Sequence, residues 1–141
     1  MIKYNIKNVY RTRLKKDDDL YFAIMREINK LEINSGIVIG IGAVQKANIA
    51  YFNQNKKVYE NFHFNEPMEI VSLKGNISIK DDKPFGHFHI SLGRSDFTVV
   101  GGHLLPDTII YACEIDIIEF EGKTLMRGFD PDTNLYLWDI N

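Results

Sequence analysis

The stretch GHFHISLGRSDFTVVGGHLL, Gly86 to Leu105, carries three of the chain's four histidines. Two β-rich runs, FGHFHISL and FTVVGG, flank Gly93-Arg94-Ser95-Asp96, so the segment predicts a β-hairpin. In a strand, residues two apart share a face, which sets His87 beside His89 with Phe88 turned away. If Gly93 to Phe97 is a five-residue loop, His103 lies opposite His87 on that same face. A four-residue loop would put it on the other face, and a bulge at Gly101-Gly102 would then be needed to restore it.

Outward from this hairpin, most of the chain reads as strand. IVIGI, ANIAYFN, KVYENFHF, MEIVSLKG, NISIK and TIIYACEIDIIEF are short and rich in β-branched and aromatic residues. Turn signals separate them at Asn53-Gln54-Asn55, Gly75-Asn76 and Asp81-Asp82-Lys83-Pro84. Spacing this close favours antiparallel neighbours over helical crossovers. One helix is evident: Leu20, Ile24, Ile28 and Leu31 form a stripe at helical spacing, with Asp17 to Asp19 as cap and first-turn acids and Asn34-Ser35-Gly36 as the stop. The expected fold is α/β in the α+β sense: two layers, a largely antiparallel sheet with the helix packed on one face. The length predicts a single domain over residues 1–141. The tail GFDPDTNLYLWDIN predicts a last strand whose Trp138 either closes the chain's own core or packs against another subunit.

The chain is 45% apolar and 26% charged, the balance of an ordinary soluble domain. Seventeen basic and nineteen acidic side chains leave a net charge of −2, which gives the bulk surface no reason to attract nucleic acid or a membrane. No apolar run follows Met1-Ile2-Lys3, and no stretch is long enough to span a bilayer. Cys113 is the lone cysteine, so no internal disulfide forms and a reducing, cytoplasmic setting is expected. Its apolar neighbours predict a buried, inert thiol.

Three neutral imidazoles with an open fourth position suit Zn²⁺, and nickel, copper, cobalt or iron accept the same ligands. A histidine on a strand is more often structural than a ligand. Three within one hairpin, beside glycines that admit backbone or substrate, make His87, His89 and His103 the candidate metal ligands. His63 has no partner near it in sequence and reads as structural. A metal enzyme would also need a positioned acid or base. Glu69, the lone acid in the apolar run MEIVSL, is the catalytic candidate, with Arg94 and Lys74 as possible anion-holding groups; Glu69 reads equally well as an edge-facing structural charge, and Arg94 and Lys74 more readily as ordinary turn or strand-edge charges. No nucleophile elbow or phosphate-binding loop is present.

SGIVIGIGAV (Ser35 to Val44), EPMEIVSLKGNIS (Glu66 to Ser78) and PFGHFHISLGRSDFTVVGGHLLPDTIIYACE (Pro84 to Glu114) together resemble the plant-and-prokaryote-conserved (PPC) domain family. The preceding helix and FDPDTNLYLWDI also fit, so the resemblance covers nearly the whole chain. It implies a two-layer fold, similar to that of alpha-acetolactate decarboxylase, and a homotrimer. In some prokaryotic members the matching histidines hold zinc, which would make His87, His89 and His103 ligands. In plants the domain follows a basic AT-hook that enters the DNA minor groove. Here MRGFDP has Arg-Gly but then turns aromatic and acidic, and the basic RTRLKK is cancelled by three aspartates. Direct DNA binding should therefore be weak or absent. Two functions follow: a trimeric, metal-carrying module with a regulatory or DNA-associated adaptor role, or a zinc-dependent enzyme acting on a small keto or hydroxy acid.

Overall fold

A computed structural model describes residues 1–140. The elements run β1 (Asn5–Leu14), α1 (Leu20–Lys30), β2 (Gly36–Asn53), β3 (Val58–Phe64), β4 (Met68–Lys80), β5 (Lys83–Gly93), β6 (Val99–Leu104), β7 (Ile109–Glu121), β8 (Arg127–Asp130) and β9 (Leu135–Trp138). Among the described residues the result is a mostly antiparallel β protein with one short helix, α+β in the broad sense. Seven strands form one sheet in the order β1-β7-β2-β4-β5-β6, with β3 attached to β2; β8 and β9 form a separate hairpin.

The long β2 organises the sheet. Its first half pairs with β7 on one side and β4 on the other, and its second half pairs with β3 and β6. The change of partners follows an irregularity at Gly42, whose φ of 150° is one that side chains avoid. Because β6 joins both β5 and β2, strands β2, β4, β5 and β6 close into a circuit. IVIGI and ANIAYFN, expected as two strands, are therefore one.

MEIVSLKG and NISIK are also one strand, and Gly75-Asn76 lies inside β4 rather than in a turn. Gly75 pairs directly with Phe88 of β5. A side chain there would strike the Phe88 ring and the His87 carbonyl, so the glycine serves close packing. The expected turn at Asp81-Asp82 is present, with both residues at positive φ in a two-residue hairpin.

The side chain of Asp19 caps α1 by accepting from the Phe22 N–H at 3.1 Å. The helix stops at Lys30, ahead of the expected Asn34-Ser35-Gly36, because Glu32 turns to a φ of 54°. Leu20, Ala23, Ile24 and Ile28 are buried in one core cluster with Val38, Leu73, Phe88, Ile90, Leu92 and Ile117 of the sheet. Tyr21 meets the Phe88 ring edge-on, 5.9 Å between centroids. Cys113 is buried in the same cluster, and burial pushes its thiol up to about 12.

The expected last strand is β9, Leu135–Trp138, and it pairs with β8 to make the tail a two-stranded hairpin. Trp138 is 43% exposed, so it does not close the chain's own core. The first strand, β1, carries no apolar periodicity and was not anticipated. It pairs with β7, where nearly buried Glu119 accepts from Lys7 Nζ and Asn8 Nδ2, both at 2.8 Å.

Candidate metal centre

Phe88, Ile90 and Leu92 fill the core, so the alternation of β5 turns His87, His89 and Ser91 to its other face. On β6, Leu104 is buried and His103 faces the same way as the β5 pair. The hairpin loop is Arg94–Thr98, one residue later than expected. Asp96 locks it by accepting from the Thr98 N–H at 2.9 Å and hydroxyl at 2.6 Å, while Phe97 adopts a φ of 66°. Thr98 is thereby kept out of the strand, and His103 pairs with His89 instead of His87. The loop still has five residues, so parity is unchanged and no bulge at Gly101-Gly102 is needed.

The three rings gather at one point. Centroid separations are 5.0 Å for His87–His89, 4.9 Å for His87–His103 and 5.7 Å for His89–His103. One nitrogen from each lies within 4.8 Å of the others. Tetrahedral ligation at about 2.0–2.1 Å per bond needs nitrogens roughly 3.4 Å apart, so an ion would draw the rings inward. Among the described residues, Nε2 of His87 and Nδ1 of His103 are buried without a hydrogen-bond partner. Leaving a buried polar atom unpaired costs about 1–3 kcal/mol. Both side chains are held well below their ordinary 6.5, at about 4. Burial is the main cause for each; the neighbouring rings and Arg127 add to it. Near neutral pH these imidazoles are therefore uncharged, with lone pairs free to coordinate. The donor set fits a divalent transition metal.

The sequence matches the Plants and Prokaryotes Conserved (PCC) domain, the PPC family, over residues 1–121. The chain belongs to the PPC-domain family. Solved structures agree. A metal-containing protein from Archaeoglobus fulgidus is 37% identical, with a TM-score of 0.93 over 98% of this chain and 97% of that one. A PPC protein from Pyrococcus horikoshii is 32% identical, with a TM-score of 0.91 over 97% and 94%. A candidate DNA-binding protein from Bacteroides thetaiotaomicron is 32% identical, with a TM-score of 0.87 over 99% and 97%. The comparison with curated proteins finds no match.

Of the other sequence candidates of this PPC-domain chain, Glu69 and Arg94 lie apart from the triad and Lys74 beside it. Glu69 and Arg94 line a groove of about 870 Å³ with Val71, Phe97, Val99 and Tyr111, and no triad histidine borders it. Arg94 is paired there with Glu66 at 3.0 Å. Lys74 sits in register with His89 on the neighbouring strand. His63 is on β3, exposed, opposite Asn48.

Sequence reading missed the groups that frame the triad. Tyr59 of β3 lies against His103, with ring centroids 5.1 Å apart. Asn76 is opposite His87, and Arg127 reaches it from β8. Tyr59 and Arg127 come from segments distant in sequence, whereas Asn76 is one hairpin away on β4. The only available signal was the strand parity that places Asn76 and Tyr59 on outward positions.

Proposed function

We propose that this chain is a homotrimeric PPC module whose His87, His89 and His103 hold one divalent metal, zinc by the character of the donors. The observation that carries the reading is the pair of buried, unpartnered nitrogens on His87 and His103, both uncharged near neutral pH. The 37%-identical relative named as metal-containing supports it. When bound, zinc supplies a Lewis-acidic centre with one position left for a further ligand.

Assembly is supported by an apolar face. Ile39, Ile41, Val71, Val99 and Tyr111 are exposed, and Phe97 is 95% exposed at the hairpin tip. Val71 borders both hollows on this face, which makes the surface continuous. Such a surface is a cost to a lone monomer and an asset to an oligomer. In the trimer the module has a regulatory or DNA-associated adaptor role. A net charge of −2 argues that any DNA is reached through a partner. The chain works as one domain in the cytoplasm; among the described residues no helix is long and apolar enough to cross a membrane.

A second reading is a zinc-dependent enzyme acting on a small keto or hydroxy acid. One observation favours it: His89 is exposed, so the triad opens to solvent rather than being sealed. Glu69 and Arg94 line a separate groove that no triad histidine borders, so chemistry at the triad would have to use its own neighbours.

The test is metal content. Purified protein should hold about one zinc per chain, and His87→Ala and His103→Ala should each lose it. Unchanged content in both variants, or none in the parent, refutes the assignment. Light scattering should return three copies; a monomer at working concentration removes the assembly half.

A further inference from the structure

The C-terminal hairpin β8–β9 lies beyond the family match at residues 1–121 and is tied down at both ends. At its base Ile79 N–H donates to the Leu125 carbonyl at 2.9 Å, and Ile79 bridges to Met126. At its tip Lys57 Nζ donates to the Asp132 carbonyl at 2.9 Å, and Asn134 Nδ2 donates to the Lys57 carbonyl at 3.0 Å. The hairpin thus reaches from the C-terminal end of β4 to the β2–β3 turn, and sets Arg127 on Asn76, the residue opposite His87.

Arg127 projects from this hairpin onto that side. Its Nε donates to Ser78 Oγ at 2.9 Å, one Nη to Asn76 Oδ1 at 2.7 Å and the other Nη to the Tyr136 carbonyl at 2.8 Å. Every acceptor is neutral. Among the described residues no carboxylate pairs with Arg127, although it is partly buried and burial pulls its guanidinium below the usual range. Phe85 and Trp138 flank it, with ring centroids 5.2 Å and 6.0 Å from the guanidinium carbon. Three of its five N–H donors are engaged, which leaves two. Lys80, over the Tyr136 ring at 3.8 Å, and Lys74, opposite His89, also lack an ion pair among the described residues. A chain with net charge −2 thus keeps, among the described residues, an unpaired guanidinium on the residue opposite His87 and an unpaired ammonium in register with His89.

A clamp between β4 and the hairpin needs no charge. An amide or hydroxyl would make the same neutral hydrogen bonds without the cost of desolvating a cation. A planar fork with free donors beside a metal position suits an oxyanion.

We propose that Arg127, held by the C-terminal hairpin at the edge of the histidine triad, anchors a small oxyanion ligand of this site, a carboxylate or a phosphate. The proposal rests on the metal reading for the ligand's second point of attachment. The guanidinium takes one oxygen of the anion, and another oxygen faces the position the three histidines leave open. Asn76 and Ser78 hold the fork in place, and the Phe85 and Trp138 rings shield it from water.

Trp138, the chain's single tryptophan, reports on the site. Its fluorescence is followed while zinc-loaded protein is titrated with lactate, and separately with inorganic phosphate, each against chloride at equal ionic strength. A saturable change is expected with at least one of them, and the tighter probe tells carboxylate from phosphate. Arg127→Gln should weaken it about tenfold or more at unchanged zinc content. Arg127→Lys should recover part of the loss. Asn76→Asp keeps the arginine but gives it a counter-ion; it should firm the hairpin, raise the melting midpoint and still weaken the anion. A purely structural Arg127 would give the rise in midpoint with no change in anion affinity. Equal binding by the parent and both Arg127→Gln and Asn76→Asp, with zinc retained, overturns the proposal and leaves the metal reading intact. If the parent takes up no zinc, the metal reading fails, and the same titration on metal-free protein decides: saturable binding lost in Arg127→Gln supports the anchor, and no binding overturns it.

Discussion

Acidifying the metal-free protein should destabilise it at a pH well above the carboxylate range. His87 and His103 sit at about 4 in the fold, below their ordinary 6.5. The unfolded chain therefore binds more protons than the folded one between those values, and stability falls as pH falls. The contribution is complete above 6.5 and is lost on the way down to about 4. For one such site the loss between about pH 7 and pH 5 is about 2 kcal/mol. The rings oppose each other's charge and are partly solvated, so the pair should lose less than twice that. Glu119 and Asp116 are held below the usual carboxylate range by Lys7 and Arg11, so their contributions are lost only at lower pH. Urea midpoints at pH 7, 6 and 5 on chelator-treated protein measure the effect. His87→Asn/His103→Asn should flatten it across this window. A parent flat between pH 7 and 5, or as steep in the double variant, would show that these rings are not desolvated as described.

Zinc should raise the melting midpoint of the parent at neutral pH, and the gain should vanish in acid as the imidazoles protonate; a gain independent of pH would point to other ligands. Cys113, with its thiol pushed up to about 12, should resist alkylation near pH 8 until the protein unfolds, and rapid labelling of native protein would contradict its burial. Glu119→Gln should cost about 1–3 kcal/mol by breaking the charge-assisted bonds that tie β1 to β7, read as a lower urea midpoint. DNA binding by the isolated chain should be weak; salt-sensitive affinity at micromolar or better would overturn the adaptor reading.

The hairpin and its histidine face were legible because strand parity is a local rule. Any five-residue loop gives the same answer, so the one-residue error in its position left the triad intact. The register was not legible, since it depends on Asp96 holding Thr98 in the loop. β1 was missed because its residues are mostly exposed on both sides, leaving no apolar alternation to read. Gly75 was misread as a turn because a glycine accommodating a ring on the next strand looks, in sequence, like any other Gly-Asn. Arg127 could be read only against a minor-groove motif it does not complete. What gives it a role is its convergence with Asn76 and Ser78, about fifty residues earlier in the chain.

Gly75 and Phe88 also connect the core to the site. Phe88 lies between His87 and His89 in sequence and points the opposite way, so whatever fixes its ring fixes the strand that aims both imidazoles. Gly75 faces it across the β4–β5 ladder, and Gly86 gives it room from the same strand. A methyl group at position 75 would meet the ring, the His87 carbonyl and, at 2.9 Å, the Phe88 Cα. Gly75→Ala should therefore cost about 1–3 kcal/mol through overpacking. It should also weaken zinc, because the backbone must shift where it carries the ligands. Phe88→Leu in the same chain relieves the clash with the ring but not the clash with the backbone, so rescue should be partial. The cycle should show a coupling of about 0.5–3 kcal/mol between the two positions. If Gly75→Ala leaves both the urea midpoint and the zinc affinity unchanged, the core does not set the geometry of the triad, and the histidines hold their positions by some other means.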